Sequence, residues 1–164
     1  MTVDTSVIGQ PTGAYKVRVE RGPVSNFAAA VCDDNPIYRD PVAAKAAGFS
    51  SIPAPPTFTF AVQHWGKFEE EQPVDPIRGV NPMHKVMGDL MSRGGLVLHG
   101  EQEFEYHRPI VVGDVLVGRG EVKDVYEKES KGRTMTFIVI ETAWRDESTN
   151  EPVVTEKFNL IHRA

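Results

Sequence analysis

From residue 96 to the end, the chain is written almost entirely in extended segments, and this limits the folds open to it more than any other feature. Residues 98–106, 115–126, 133–145 and 153–161 are rich in Val, Ile, Thr and aromatic residues, as strands require. Residues 109–114, 129–132 and 146–152 carry the Pro, Gly, Asp and Asn of turns. Strands at this spacing, joined by short hairpins, are expected to form an antiparallel sheet. Residues 15–20 (YKVRVE) alternate apolar and charged side chains and supply a fifth strand.

A twisted sheet of that size needs an apolar element to fill its concave face. Residues 57–67 (TFTFAVQHWGK) fit the need. Phe58, Val62 and Trp65 share one helical face, and Phe60 and Ala61 widen it. The Thr and Phe content also suits a strand, but Pro55-Pro56 before the segment favours a helical first turn. The expected class is α+β, an antiparallel five-stranded sheet around a long central helix. Shorter helices are expected at 26–31, capped by Ser25, and at 42–47, begun by Pro41 and closed by Gly48. Residues 68–97 read as an insertion, loop first and then a helix at 82–92. On that helix Met83, Met87, Leu90 and Met91 share a face.

At 164 residues the chain suits one domain, 1–164, large enough to bury a core. Its net charge of −5 comes without a basic stripe, which argues against nucleic acid as a partner. No apolar run reaches membrane-spanning length, and the first residues lack the pattern of a signal peptide. One cysteine excludes an internal disulfide and suits a reducing, cytoplasmic setting.

The densest cluster of chemistry-bearing residues is CDDNPIYRDPVAAKAAGF, residues 32–49. Together with the fold pattern, this run resembles the signature of the MaoC-like hot-dog family. That family comprises (R)-specific enoyl-thioester hydratases and 3-hydroxyacyl-thioester dehydratases. The family's acid falls on Asp33, its Asn-Pro on Asn35 and Pro36, and its apolar position on Ile37. Ala47, Gly48 and Phe49 fill an Ala-Gly-Phe slot. Residues 104–116 (FEYHRPIVVGDVL) are similar to a strand–turn–strand segment of the family. Leu98-His99-Gly100-Glu101-Gln102 resembles a strand of its dehydratase N-terminal-type members. The resemblance implies a hot-dog fold, pairing with a second hot-dog subunit or a second copy, and an acyl thioester of coenzyme A or acyl carrier protein. It implies no cofactor.

In that family a His and an Asp handle the proton and the departing water. A backbone N–H at the start of the central helix holds the thioester oxygen as it gains enolate-like charge, aided by the helix dipole. Here Asp33 retains the acid, but Tyr38 stands where the family has His. A phenol titrates near ~10 and an imidazole near ~6.5, so Tyr38 is a poor base at neutral pH. The family's oxyanion glycine aligns with Pro56, which has no N–H. Each loss costs roughly two orders of magnitude or more in rate. The resemblance therefore implies a subunit with a degenerate site that binds and stabilises beside a complete partner. Asn35, Pro56, Thr57, His99 and Gly100 are the expected substrate contacts, and Met87 and Leu90 the expected acyl-tunnel lining.

Each of these residues has a plainer reading. Asp33, Asp34, Asn35 and Pro36 also make a self-capped turn. Tyr38 reads as a packing residue with a satisfied hydroxyl, His99 equally as a structural histidine, and Cys32 as inert. The five histidines show no metal-ligand spacing, so no metal is expected. Two other functions stay open. One is a self-sufficient homodimeric hydratase using Asp33 with Tyr38 or His99. The other is a non-catalytic acyl-thioester binding protein or a thioesterase, although a thioesterase needs a carboxylate at the helix start, where Thr57 stands.

Overall fold

The computed structural model describes residues 3–164. Five strands form one antiparallel sheet: β1 (Pro11–Arg18), β2 (Leu96–Tyr106), β3 (Val115–Ser130), β4 (Arg133–Asp146) and β5 (Pro152–Arg163). Their order across the sheet is β1-β3-β4-β5-β2. Among the described residues four α-helices accompany them: α1 (Arg21–Ala30), α2 (Pro41–Ala46), α3 (Phe58–Trp65) and α4 (Pro82–Met91).

Two hairpins form as the sequence implies, β3–β4 and β4–β5. The segment 109–114 is not a third hairpin. β2 pairs with β5 at one edge, while β3 lies beside β1 at the other, so the chain crosses between them. The crossing is tied down by Arg108, whose guanidinium reaches Asp114 at 2.7 Å and Asp146 at 2.8 Å. Residues 52–54 flank it through Ala54 N–H to Ile110 C=O and Val112 N–H to Ile52 C=O, both 2.8 Å.

The central helix α3 is shorter than the apolar pattern suggests, eight residues from Phe58 to Trp65. Phe58 and Val62 are buried, as expected, but Trp65 is half exposed. Gly66 ends the helix where the backbone turns against β1: Arg18 N–H donates to Gly66 C=O at 3.0 Å. A Cβ at Gly66 would lie 2.8 Å from the Arg18 carbonyl oxygen, so only glycine permits this approach. Trp65 packs edge-on against Phe27 instead.

Two apolar clusters fill the concave side. The first joins Phe58 and Val62 of α3 to Val17, Val24, Leu116, Trp144 and Val154. The Trp144 indole lies over Gly118, where a Cβ would come within 2.8 Å of the ring. The second joins Val86 and Leu90 of α4 to Val122, Val125, Ile138 and Ile140. A bulge between Val122 and Asp124 on β3 resets the strand's alternation, so Val122 and Val125 both face inward.

The two sheet edges are treated differently. Segment 66–72 covers β1, where the Gln72 amide imitates a neighbouring strand. Its oxygen accepts from Lys16 N–H at 3.0 Å and its nitrogen donates to Lys16 C=O at 2.9 Å. β2 carries no such cover among the described residues, and its outward side chains are largely exposed.

Candidate functional site

The 32–49 run folds as a chain of caps. Helix α1 closes in a Schellman motif: Cys32 N–H donates to Ala29 C=O at 3.1 Å and Asp33 N–H to Ala28 C=O at 2.9 Å. Cys32 takes the left-handed position at φ 57° and is exposed rather than buried. Helix α1 begins at Arg21, with Glu20 as its N-cap, so Ser25 lies inside the helix and does not cap it. The Asp33 carboxylate accepts from Asn35 N–H at 3.0 Å, and the Asn35 side chain accepts from Ile37 N–H at 3.1 Å. Asp40 caps α2 by accepting from Val42 N–H at 2.8 Å.

Helix α2 closes in a second Schellman motif, with Gly48 left-handed at φ 93° and Phe49 N–H donating to Ala44 C=O at 3.1 Å. The Ala47-Gly48-Phe49 slot therefore has a local physical reason. Glycine alone takes that φ freely, and the following apolar residue folds back onto the core, which Phe49 does.

Tyr38 is buried. Burial, and then the nearby Asp33 charge, push its hydroxyl pKa up from the ordinary tyrosine value. The phenol is thus further from serving as a base than an exposed one. With Ile37, Phe49, Pro53, Pro56 and Tyr106 it borders an apolar depression of about 180 Å³.

At the start of α3, Pro56 is exposed and has no N–H to offer. Thr57 takes the left-handed conformation at φ 68° and makes no side-chain cap. Its N–H, the nearest donor beyond the two prolines, gives a 2.7 Å hydrogen bond to the Tyr106 hydroxyl from β2. Phe58 N–H turns back to Pro55 C=O at 3.3 Å. The sequence gives no sign of the Tyr106 contact, because it joins residues 49 positions apart.

A larger cavity, about 290 Å³, opens beneath α3 on the concave face of the sheet. Phe60 and Gln63 of α3, Met83 and His84 of α4, Tyr15 of β1, and Trp144, Glu156 and Phe158 of the sheet line it. The α4 side chains that reach it are Met83 and His84. Leu90 and Met87 pack into the second apolar cluster, which Met83 also touches. The helical repeat that puts Met83, Met87 and Leu90 on one stripe does not distinguish the cavity end of that stripe from the core end. His99 is exposed on β2 and packs edge-on against Phe60 and Phe158 at the cavity wall, with ring centroids 5.5 and 4.7 Å away. Gly100 lies in a β2 bulge between His99 and Gln102. A Cβ there would meet Ile161 at 2.6 Å, so its role is to admit the neighbouring strand.

Glu156 is the one acidic side chain lining this cavity. It is 5% exposed, and the Trp144 indole N–H donates to its Oε2 at 3.3 Å. The buried Thr59 hydroxyl faces it without closing to hydrogen-bond geometry. Burial pushes the Glu156 carboxyl up, against the smaller opposing pull of Thr59 and Trp144. Sequence reasoning passed over this residue because a Glu in a strand ordinarily reads as solvent-facing. The signal available was its parity with Val154 and Phe158.

Among the described residues, no group of three or more His, Cys, Asp or Glu is placed to hold a metal ion. Likewise, no helix is long and apolar enough to cross a membrane.

Comparison with known proteins agrees with this architecture. Residues 6–156 match the family model described as FAS1-like, dehydratase domain region. A UPF0336 protein of Saccharopolyspora erythraea is 37% identical over 167 aligned positions, covering 100% of this chain and 94% of the relative. The ChsH1-ChsH2 complex of Mycobacterium tuberculosis contains a chain of similar fold, with TM-score 0.73 and 25% identity over 93% of this chain and 83% of that one. A chain of the HadBC (3R-hydroxyacyl-ACP dehydratase) complex from the same organism shares the fold at TM-score 0.63 and 21% identity, over 91% and 95%. With the five-stranded sheet, the central helix and the capped 32–49 run, these matches show that the chain has the hot-dog fold and belongs to the MaoC-like, FAS1-like dehydratase-region family.

Proposed function

We propose that this chain is the acyl-chain-binding, stabilising subunit of a heteromeric (R)-3-hydroxyacyl-thioester dehydratase or enoyl-thioester hydratase in fatty-acyl metabolism. It acts as one hot-dog unit over residues 1–164, with 68–97 as an insertion, and depends on a complete partner for catalysis.

The observation that carries this reading is the Thr57 N–H. Pro56 removes one donor at the helix start, and Tyr106 occupies the next, which leaves a thioester oxygen without its hydrogen bond there. Tyr38, buried with its hydroxyl pKa raised, adds the lack of a neutral-pH base. Asp33 keeps its carboxylate but spends one oxygen on the Asn35 turn. The chemistry is proton transfer and loss of water, which needs no cofactor.

The partner is another MaoC-like subunit rather than a second copy. β2 is the uncovered edge, and Glu101, Glu103 and Glu105 stand exposed on one of its faces. Antiparallel pairing of two identical β2 strands about Glu103 would set these carboxylates against one another, which is destabilising. A partner edge bearing Lys or Arg removes the conflict.

The test is co-purification with the product of a neighbouring reading frame that carries the complete Asp…His signature, followed by hydration assays on an enoyl thioester. The chain alone should run at least about a hundredfold below the pair. Hydration by the isolated chain at a normal enzymatic rate would sink the proposal.

A further inference from the structure

We infer that the cavity beneath α3 selects an acyl chain carrying a further hydroxyl or keto oxygen beyond C3, with Glu156 as the specificity-determining residue. This rests on the acyl-thioester reading above and deepens it.

A site built only for alkyl chain would be lined throughout by apolar groups. This one sets a nearly buried carboxyl group beside Tyr15, Phe60, Trp144 and Phe158, and its wall also carries Gln63, Asn81, His84 and two threonines. The group is not there for an ion pair. No Lys or Arg lines the cavity, and the nearest basic residue in sequence, Lys157, points to the other face and pairs with Glu103. The Trp144 indole is its one well-formed hydrogen-bond partner and engages Oε2 alone. The neighbouring Thr59 hydroxyl pulls the carboxyl pKa down but does not close to hydrogen-bond geometry. Oε1 is left free at the cavity wall, where a ligand hydrogen bond can form.

Burial favours the protonated carboxyl, which offers an O–H donor beside an acceptor oxygen. It matches a ligand oxygen that both accepts and donates, or a keto oxygen that accepts. The aromatic and aliphatic part of the lining would then enclose the methylenes on either side. A cavity near 290 Å³ has room for several methylenes together with such a group.

The test compares binding of the decanoyl thioester of N-acetylcysteamine with that of its hydroxydecanoyl and ketodecanoyl counterparts, the oxygen being scanned along the chain from C4 outward. The full-length protein is titrated calorimetrically as wild type, Glu156→Gln and Glu156→Leu, each checked for folding by thermal unfolding. At one oxygen position the wild type should bind the oxygenated probe about tenfold or more tighter than the plain one, the size of one well-made hydrogen bond in a desolvated site. Glu156→Gln, which keeps a donor, should retain most of that preference. Glu156→Leu should lose it while binding the plain chain at least as well as the wild type. Equal binding of plain and oxygenated probes by the wild type, or an undiminished preference in Glu156→Leu, overturns the inference and leaves the acyl-thioester reading standing. Failure to bind any of the probes overturns both.

Discussion

Burial leaves the Glu156 carboxyl with one indole hydrogen bond and no Lys or Arg beside it, His84 being the one basic side chain on the same cavity wall, and its proton is therefore linked to folding. Its folded pKa is raised above the ordinary glutamate value of 4.5. In the window between the unfolded and folded values the native state holds the extra proton. Stability therefore falls as pH rises through that window, and the penalty is complete at pH values above the folded pKa. Each unit of separation corresponds to about 1.4 kcal/mol. Glu156→Gln keeps the acceptor for Trp144 and removes the titration. The variant should gain stability over the wild type at neutral pH and lose most of that gain near about pH 4. Urea unfolding at the two pH values measures this. A difference between variant and wild type that does not change with pH would mean that Glu156 does not carry the linkage. The same residue that strains the empty fold is the one offered to a ligand oxygen, and ligand binding and stability should rise together.

At the scale of the element, helix ends decide the geometry of the 32–49 run. The Schellman closure of α1 puts Cys32 at φ 57°, a position where a residue with a Cβ costs about 1 kcal/mol relative to glycine. Cys32→Gly should therefore stabilise the protein by up to about 1 kcal/mol, read as a higher urea midpoint at unchanged slope, with Asp33 left in place. A loss of stability would show that the Cys32 side chain contributes more than its backbone conformation costs. Some helix ends were readable from the sequence, although α1 starts at Arg21 rather than after Ser25. Pro41 and Gly48 bound α2 where the residues said they would, and Pro82 opens α4 behind the Asn81 cap. The strands of the second half were equally legible from their residue types. What was not legible depended on contacts between distant segments. Trp65 shares a helical face with Phe58 and Val62, yet it is exposed because Gly66 meets β1 and ends the helix early. The Thr57–Tyr106 hydrogen bond, and the reach of Met83 but not Met87 into the cavity, are likewise products of packing. The β3 bulge was partly readable: Lys123 and Asp124 sit together between two buried valines, which breaks the strict alternation.

For the molecule as a whole, the unequal edges determine how it can assemble. β1 is closed by the Gln72 amide and by the Arg18–Glu71 ion pair at 2.6 Å. β2 offers its unpaired backbone, and an uncovered edge of eleven residues is either an interface or an aggregation hazard. The row of Glu101, Glu103 and Glu105 reconciles solubility with specificity. It repels a second copy of the same edge, and Lys157, 3.4 Å from Glu103, offsets only part of that charge. Replacing all three with Gln should leave the fold intact, because the side chains are exposed. Relief of the like-charge contacts, each about 0.2–1 kcal/mol, should shift the isolated chain toward self-association in analytical ultracentrifugation. The same variant should weaken pairing with a basic-edged partner and flatten that pairing's dependence on salt, since screened charge attraction would no longer contribute. If the triple variant stays in the same association state as the wild type and pairs with the partner at the same strength across salt concentrations, the glutamate row does not choose the partner, and selection must then lie in the apolar positions of β2, with Leu96 and Tyr106 the exposed ones.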